Sequence, residues 1–388
     1  VKQFNFSILL LIISAMGCSA QTNVPSSSSR PPLTQNAGSW PAGHLQGIAV
    51  DVRGGYIYYS FTTLLAKYDF TGKLIGTLEG WAGHLGDLDF NARDGFVYGS
   101  LEYKRDTAFY IAVIDVDKID RIGIEAKQSE LFRTVYLPEV VKDYSADLNG
   151  DGVFDGNIAK TPDHRYGCSG IDGVSFGPEF GHVDGPRFLT VAYGIYANTE
   201  RTDNDHQVLL QYDIADWTRY ARPLTEVSPH RSGPAEVHGK FFVRTGNTTY
   251  GVQNLAYDEL QQRWFLGVYK GTKPTFPNYL MFAIDAHTRP VLGDLVGVPA
   301  AAGNSTERGQ LLQLADDGLK DTKTGIRGWN QKSDVGIQPI GGGIFYLAVN
   351  SGKRGSQTGD VTLHRWTGNP ANPFIPATAT DVDTFMSR

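Results

Sequence analysis

His44-Leu45-Gln46-Gly47-Ile48-Ala49-Val50 and His84-Leu85-Gly86-Asp87-Leu88-Asp89-Phe90 are two copies of one pattern, a Gly-rich approach carrying a polar residue into an alternating apolar strand. The pattern returns as Gly170-Ile171-Asp172-Gly173-Val174-Ser175-Phe176, as Gly251-Val252-Gln253-Asn254-Leu255-Ala256-Tyr257, and in short form as Gly336-Ile337-Gln338-Pro339-Ile340. An aromatic strand follows each copy, for example Tyr56-Ile57-Tyr58-Tyr59 and Arg263-Trp264-Phe265-Leu266. Then comes an apolar strand closing on Asp and a turn: Ala66-Lys67-Tyr68-Asp69, Ala112-Val113-Ile114-Asp115, Leu210-Gln211-Tyr212-Asp213 and Phe282-Ala283-Ile284-Asp285, with Leu363-His364-Arg365-Trp366 in the fifth copy. A poorer strand such as Lys73-Leu74-Ile75-Gly76 completes the unit.

Four strands per repeat are the content of a propeller blade, and a blade hides its apolar faces only by stacking on others. The fold expected is all-β, a single β-propeller over residues 36–376 with long insertions on its top face. Five blades are counted; six would follow if Phe241-Phe242-Val243-Arg244 began another. Composition agrees, with 45 Gly and 19 Tyr against 3 Met, a balance of tight turns and strands. Only residues 305–319 show spacing that a helix could use, and Gly303 and Gly309 interrupt it. Insertions are expected at 138–166, 226–250 and 298–332, each joining one blade's outer strand to the next blade's inner strand.

Residues 1–18 read as a lipoprotein-type signal peptide: Lys2, a short apolar run, then Ala15-Met16-Gly17-Cys18, which resembles a bacterial lipobox with Cys18 as the lipidated residue. Residues 19–35 are a Ser/Pro-rich tether and 377–388 a tail. The expected location is exported, anchored to the outer membrane or cell surface by lipid alone, or otherwise periplasmic or secreted, with a monomeric body. A net charge of -6 argues against nucleic acid as a partner. Cys168 is then the single remaining thiol, expected to be a buried apolar residue.

The polar positions of the repeat, Gln46, Asp172, Gln253 and Gln338, are expected to ring the central channel, with Gly86 and Asp87 at that register in the second blade and Asn254 beside Gln253. His44 and His84 stand at matching strand starts. Charged and aromatic residues on the top loops, Glu102, Lys104, Arg105, Tyr196, Glu200, Arg201, Lys270 and Trp329, suit a carbohydrate ligand, especially an acidic one. As an architecture, a five-bladed propeller is similar to furanosidase-type glycoside hydrolases, a calcium-dependent nucleotidase and some sugar-binding lectins. The furanosidase pattern would place an Asp where His44 stands. No nucleophile, zincin or phosphate-loop motif is present.

The expected function is therefore glycan processing. In a hydrolase of the inverting kind, Asp87 or Asp172 would be base and Glu102 or Glu200 acid. In a lyase, His44 or His84 with Tyr196 would move protons. Gln46, Arg105, Arg201, Gln253, Asn254, Lys270, Trp329 and Gln338 would bind substrate. The alternatives are a non-catalytic glycan- or protein-binding lipoprotein and a Ca2+-dependent phosphoester hydrolase. Finally, Asp147-Leu148-Asn149-Gly150-Asp151-Gly152-Val153-Phe154-Asp155 has oxygen ligands at every second position around glycines, the opening of a calcium loop. Asp147, Asn149, Asp151, the Val153 carbonyl and Asp155 are its expected Ca2+ ligands.

Overall fold

The computed structural model describes residues 30–156, 163–300, 305–353 and 356–387; Cys18 and the signal segment lie outside them. Five sheets, each led by one copy of the repeat, form a five-bladed β-propeller. Blade 1 contains Leu45–Asp51, Tyr56–Phe61, Leu64–Asp69 and Leu74–Glu79, antiparallel and in chain order from the axis outwards. Blade 2 repeats this with His84–Asn91, Phe96–Tyr103, Ala108–Ile114 and Phe132–Tyr136. Blade 3 has Cys168–Glu179, His182–Ile195, His206–Tyr212 and Gly239–Arg244.

The segment at Phe241 and Phe242 is thus the fourth strand of blade 3, paired with His206–Tyr212, and starts no sixth blade. The corresponding insertion joins the third and fourth strands of one blade instead of two blades. On its way Arg222–Pro223 pairs with the outer strand of blade 2. In blade 4, Thr249–Asp258, Arg263–Tyr269 and Met281–Asp285 form a three-stranded sheet. The next strand, Val291–Pro299, turns away to pair with Thr306–Leu311, which runs parallel to the edge of blade 3. Part of the stretch with helical spacing is therefore a strand. Helices occur instead at Pro138–Tyr144 and at Ala379–Met386.

Blade 5 contains Ile337–Gly341, Ile344–Ser351 and Thr358–Trp366, and its outer position is filled by Thr34–Ser39 from the other end of the chain. This pairing closes the ring: Thr34–Ser39 and the last blade share one sheet, so no blade edge is left between them. The strand begins inside the segment read as tether. The C-terminal helix is not a loose tail either, because Val382 is buried and Phe385 packs on the same cluster as Ile48, Tyr59 and Tyr346. The apolar core runs between successive blades. Leu85, Leu88 and Leu101 pack with Tyr58 and Leu65 across the blade 1–2 junction. Cys168 is fully buried, as a small apolar residue is expected to be.

Candidate functional site

Four of the five inner strands carry a register irregularity at the repeat's polar position: between Leu45 and Gly47, Leu85 and Leu88, Ile171 and Val174, and Val252 and Asn254; in blade 5 it falls after Gln338, between Pro339 and Gly341. A bulge lets one residue leave the alternation and turn its side chain elsewhere. Here it turns Gln46, Asp172 and Gln253 into a cleft of about 610 Å³ at the mouth of the axial channel. The same cleft is lined by His44, His84, Glu102, Tyr103, Lys104, Arg105, Asp106, Tyr250 and Tyr269.

Blade 2 supplies most of the chemistry. His84 and Glu102 are directly opposed partners on its first two strands. Glu102 is buried, and its Oε1 accepts the Ile171 N–H from blade 3 at 2.7 Å. Its Oε2 lies 3.2 Å from Lys104 Nζ and 3.6 Å from His84 Nδ1. Asp172 Oδ1 lies 3.8 Å from the same nitrogen, and Oδ2 accepts from Gln253 Nε2 at 2.8 Å. A glycine is required beside this group twice. A Cβ on Gly86 would fall 3.0 Å from Asp172 Oδ1, and one on Gly170 would fall 1.8 Å from Glu102 Oε1.

Burial pushes both carboxyls upward, Asp172 the more strongly because Glu102 adds a like charge while Lys104 and Gln253 only partly compensate. Glu102, held by a backbone N–H and the ammonium, is the one of the pair that ionises first. His84 is pushed down to about 4, first by desolvation and then by the charges of Lys104 and His44, so it is neutral at pH 7. It is nonetheless one-third exposed to the cleft, which fits a ring with a desolvated edge and an open face. Burial opposes the Lys104 ammonium, yet Glu102 and Asp172 hold its pKa above the usual lysine value. The site therefore places two carboxyls of raised pKa, an imidazole neutral at pH 7 and an ammonium within a few ångströms.

Ligand atoms of His84, Glu102 and Asp172 all lie within 4.8 Å of one another, so these three residues are also the group able to hold a metal ion among the described residues. The 3.6 and 3.8 Å separations from Nδ1 are too long for hydrogen bonds. Lys104 competes with such an ion for Glu102.

Of the residues expected from sequence, His44, Gln46, His84, Glu102, Arg105, Asp172 and Gln253 meet in this cleft. Others do not. Asp87 lies deeper, where its Oδ2 accepts N–H groups from Val174 (3.0 Å) and Leu255 (2.8 Å), tying blade 2 to blades 3 and 4. Asn254 is buried and donates to the Gln46 carbonyl. Gln338 reaches Asp89 at 3.4 Å instead of the cleft. Tyr196 is buried against His164, outside the cleft lining, and burial raises its pKa to about 12. Arg201 pairs with Asp203 and donates to the His164 carbonyl, a structural post. Glu200 and Lys270 are exposed outside the cleft, and Trp329 is a core residue packed on Trp366. The Glu102–Asp172 pairing does not have the inverting spacing, since oxygens of the two lie within 4.8 Å while a water between two carboxylates needs about 6.5–9.5 Å.

Tyr250 was not legible as a site residue. It is half-exposed at the cleft with φ +64°, a left-handed conformation costly for an aromatic residue. Its one sequence signal is its place before Gly251, at the entry to the repeat. In the calcium-like loop, the Asp147 carboxylate accepts from the Asp151 and Gly152 N–H groups (both 3.1 Å) and Asp151 Oδ1 accepts from Val153 N (2.8 Å). Among the described residues, the Asp147, Asp151 and Asp155 carboxylates are not in a group whose ligand atoms converge within 4.8 Å.

No family model matches the chain, and no curated protein matches it. Among solved structures it is similar to the Dos1 propeller, with 12% identity and a TM-score of 0.32 over 85% of this chain and 68% of that one. It is also similar to a protein of unknown function from Bacteroides caccae, with 8% identity and a TM-score of 0.26 over 63% and 79%.

Proposed function

We propose that this chain is a glycan-processing enzyme acting in the axial cleft, with Glu102 and Asp172 as its reacting pair. The observation that carries the reading is the unequal environment of these two buried carboxyls at the cleft wall, beside half-exposed Tyr250 and the cations Lys104 and Arg105. A proton-bearing acid next to a carboxylate is the requirement of glycosidic bond cleavage. In hydrolysis, Asp172 gives its proton to the bridging oxygen as the C1–O bond breaks and Glu102 bonds to C1. Water then attacks C1, returns a proton to Asp172 and frees Glu102.

The neutral His84 favours a second reading, β-elimination on a uronate. His84 takes the proton at C5, the C4–O bond breaks, Asp172 protonates the departing oxygen, and Lys104 and Arg105 face the sugar carboxylate. The lipid anchor at Cys18 would hold a monomeric body at the cell surface, where polymers meet the cell.

The test is incubation of the chain from residue 30 with neutral glycans (xylan, arabinan) and uronate glycans (polygalacturonate, alginate), with and without EDTA. New reducing ends without ultraviolet absorbance support hydrolysis; absorbance of an unsaturated uronate supports elimination. Loss with EDTA, restored by Zn2+ or Mn2+ and absent in His84→Ala, would assign His84, Glu102 and Asp172 to a metal. No turnover of any glycan by the wild type, or full turnover by Glu102→Gln, overturns the reading.

A further inference from the structure

The axial cleft does not end at its far wall. His44 and Tyr269, which line it, also line a second pocket of about 210 Å³ together with Lys332, Asp334, Val335, Ala348, Val349, Asn350 and Gln357. The main cleft draws on blades 1 to 4. This pocket adds blade 5 and the connection leading into it, so the two pockets, which share His44 and Tyr269, together draw on every blade.

The wall between the two pockets is fixed. His44 Nδ1 donates to the Leu45 carbonyl at 2.8 Å, and Leu45 is held to blade 5 by the Asn350 side chain, which accepts from its N–H at 3.2 Å and donates to its carbonyl at 3.1 Å. Tyr269 also lines both pockets, its phenol raised by burial and by the charges of Asp334 and Asp172. A chain-like ligand passing between an imidazole and a phenol ring would keep one unit over Glu102 and Asp172 and the next over Asp334.

The second pocket is equipped for such a unit. Among the described residues, the side chains of Lys332, Asp334 and Gln357 make no ion pair and no hydrogen bond to another residue. They offer a cationic donor, an acceptor and an amide, the combination that pairs with neighbouring hydroxyls of one sugar ring. Val335, Ala348 and the half-exposed Val349 give an apolar floor for the ring's C–H face. The volume equals on the order of seven waters at ~30 Å³ each, the scale of a single sugar ring.

We propose that the pocket bounded by His44, Tyr269, Lys332, Asp334 and Gln357 is a second sugar subsite, so that the substrate is an oligosaccharide spanning the His44–Tyr269 divide. This rests on the glycan reading of the main cleft. It makes the protein a cutter of chains, with the reacting bond placed by how far the chain extends toward blade 5. It also makes affinity and turnover depend on one more sugar than the main cleft can hold.

The experiment uses the chain from residue 30 and size-defined galacturonate and xylose oligosaccharides of two to six units, with kcat/KM measured for each length. Wild type is expected to gain at least tenfold at one step in the series. Val349→Trp fills the pocket from a half-exposed position and should remove that step while leaving the rate on the shorter substrate within about threefold. Asp334→Asn and Gln357→Ala, which leave the pocket open, should each shrink the step several-fold. A step of unchanged size in both Val349→Trp and Asp334→Asn overturns the subsite while leaving the main cleft's chemistry standing. A flat length series in the wild type does the same. No turnover of any oligosaccharide overturns both.

Discussion

Replacing Asp87 separates a tether from a catalyst. Its Oδ2 accepts two N–H groups, from Val174 of blade 3 and Leu255 of blade 4, in a fully buried position on the axis. Asp87→Ala leaves both donors without a partner, and each orphaned buried N–H costs about 1–3 kcal/mol, so the loss is ~2–6 kcal/mol. Asp87→Asn behaves differently because a single oxygen accepts both inter-blade bonds. An Asn carbonyl placed at Oδ2 keeps them, while its NH2 falls beside the Leu88 N–H that the carboxyl also accepts, a cost of about 1–3 kcal/mol. The order of stability should be wild type, then Asn, then Ala, read as urea midpoints at constant slope. Turnover per folded molecule on whichever glycan is cleaved should stay within about threefold in Asp87→Asn, because Asp87 does not line the cleft. A stable Asp87→Asn protein with turnover as low as that of Glu102→Gln would refute the tether and return Asp87 to the reacting pair. An Asp87→Ala loss under ~1 kcal/mol would refute the energetics.

Gly170→Ala should fold but lose about 10²-fold or more in turnover, since φ is +122° and the new Cβ would displace Glu102 Oε1; a wild-type rate would show that Glu102 is not held as described. Burial raises Asp89 from 3.8 to about 6, so the native state binds more protons than the unfolded one between those values. Stability should therefore fall as pH rises from about 4 to 6, by ~3 kcal/mol at 1.36 kcal/mol per pH unit, and Asp89→Asn should flatten that part of the pH–stability curve; an unchanged slope would contradict it. If the Asp147–Asp155 loop takes Ca2+, the melting temperature should rise over about 10⁻⁴–10⁻³ M Ca2+ and the rise should vanish in Asp147→Ala with Asp151→Ala; no wild-type shift in that range rejects the ion.

The fold was legible because the repeat is set by physics that a short window displays: alternation, a turn aspartate, an aromatic second strand. Tyr56–Phe61 and Arg263–Tyr269 could be placed from a few residues each. What escaped was connectivity. Nothing local tells Gly239–Arg244 to return to blade 3 or Thr34–Ser39 to complete blade 5, because those edges are selected by long-range pairing. The top-loop residues Glu200, Lys270 and Trp329 lie outside the cleft for a related reason. Being on a loop of the correct face says nothing about direction, and Trp329 is drawn inward by the antiparallel bridge to Met281.

The register irregularities explain why the residues of one sequence signature point in different directions. In blades 1, 3 and 4 the residue released by the bulge is Gln46, Asp172 or Gln253, and each turns to the cleft. In blade 2 the released pair is Gly86 and Asp87. Glycine at the equivalent position leaves room for Asp172 to approach His84, while Asp87 turns down the axis to gather the backbones of blades 3 and 4. The missing side chain in blade 2 is thus part of the site: a larger residue at Gly86 would press on Asp172 and on Ser100, and the Glu102–Asp172 pair would open. Blade 2 then contributes its chemistry from the second strand, where Glu102 stands opposite His84 and Lys104 follows at once. A reading that looks for one polar residue per inner strand finds three walls of this cleft. The fourth wall, for which the top-loop position of Glu102 gave the residue, takes its geometry from the cross-strand register that puts Glu102 beside the gap left by Gly86.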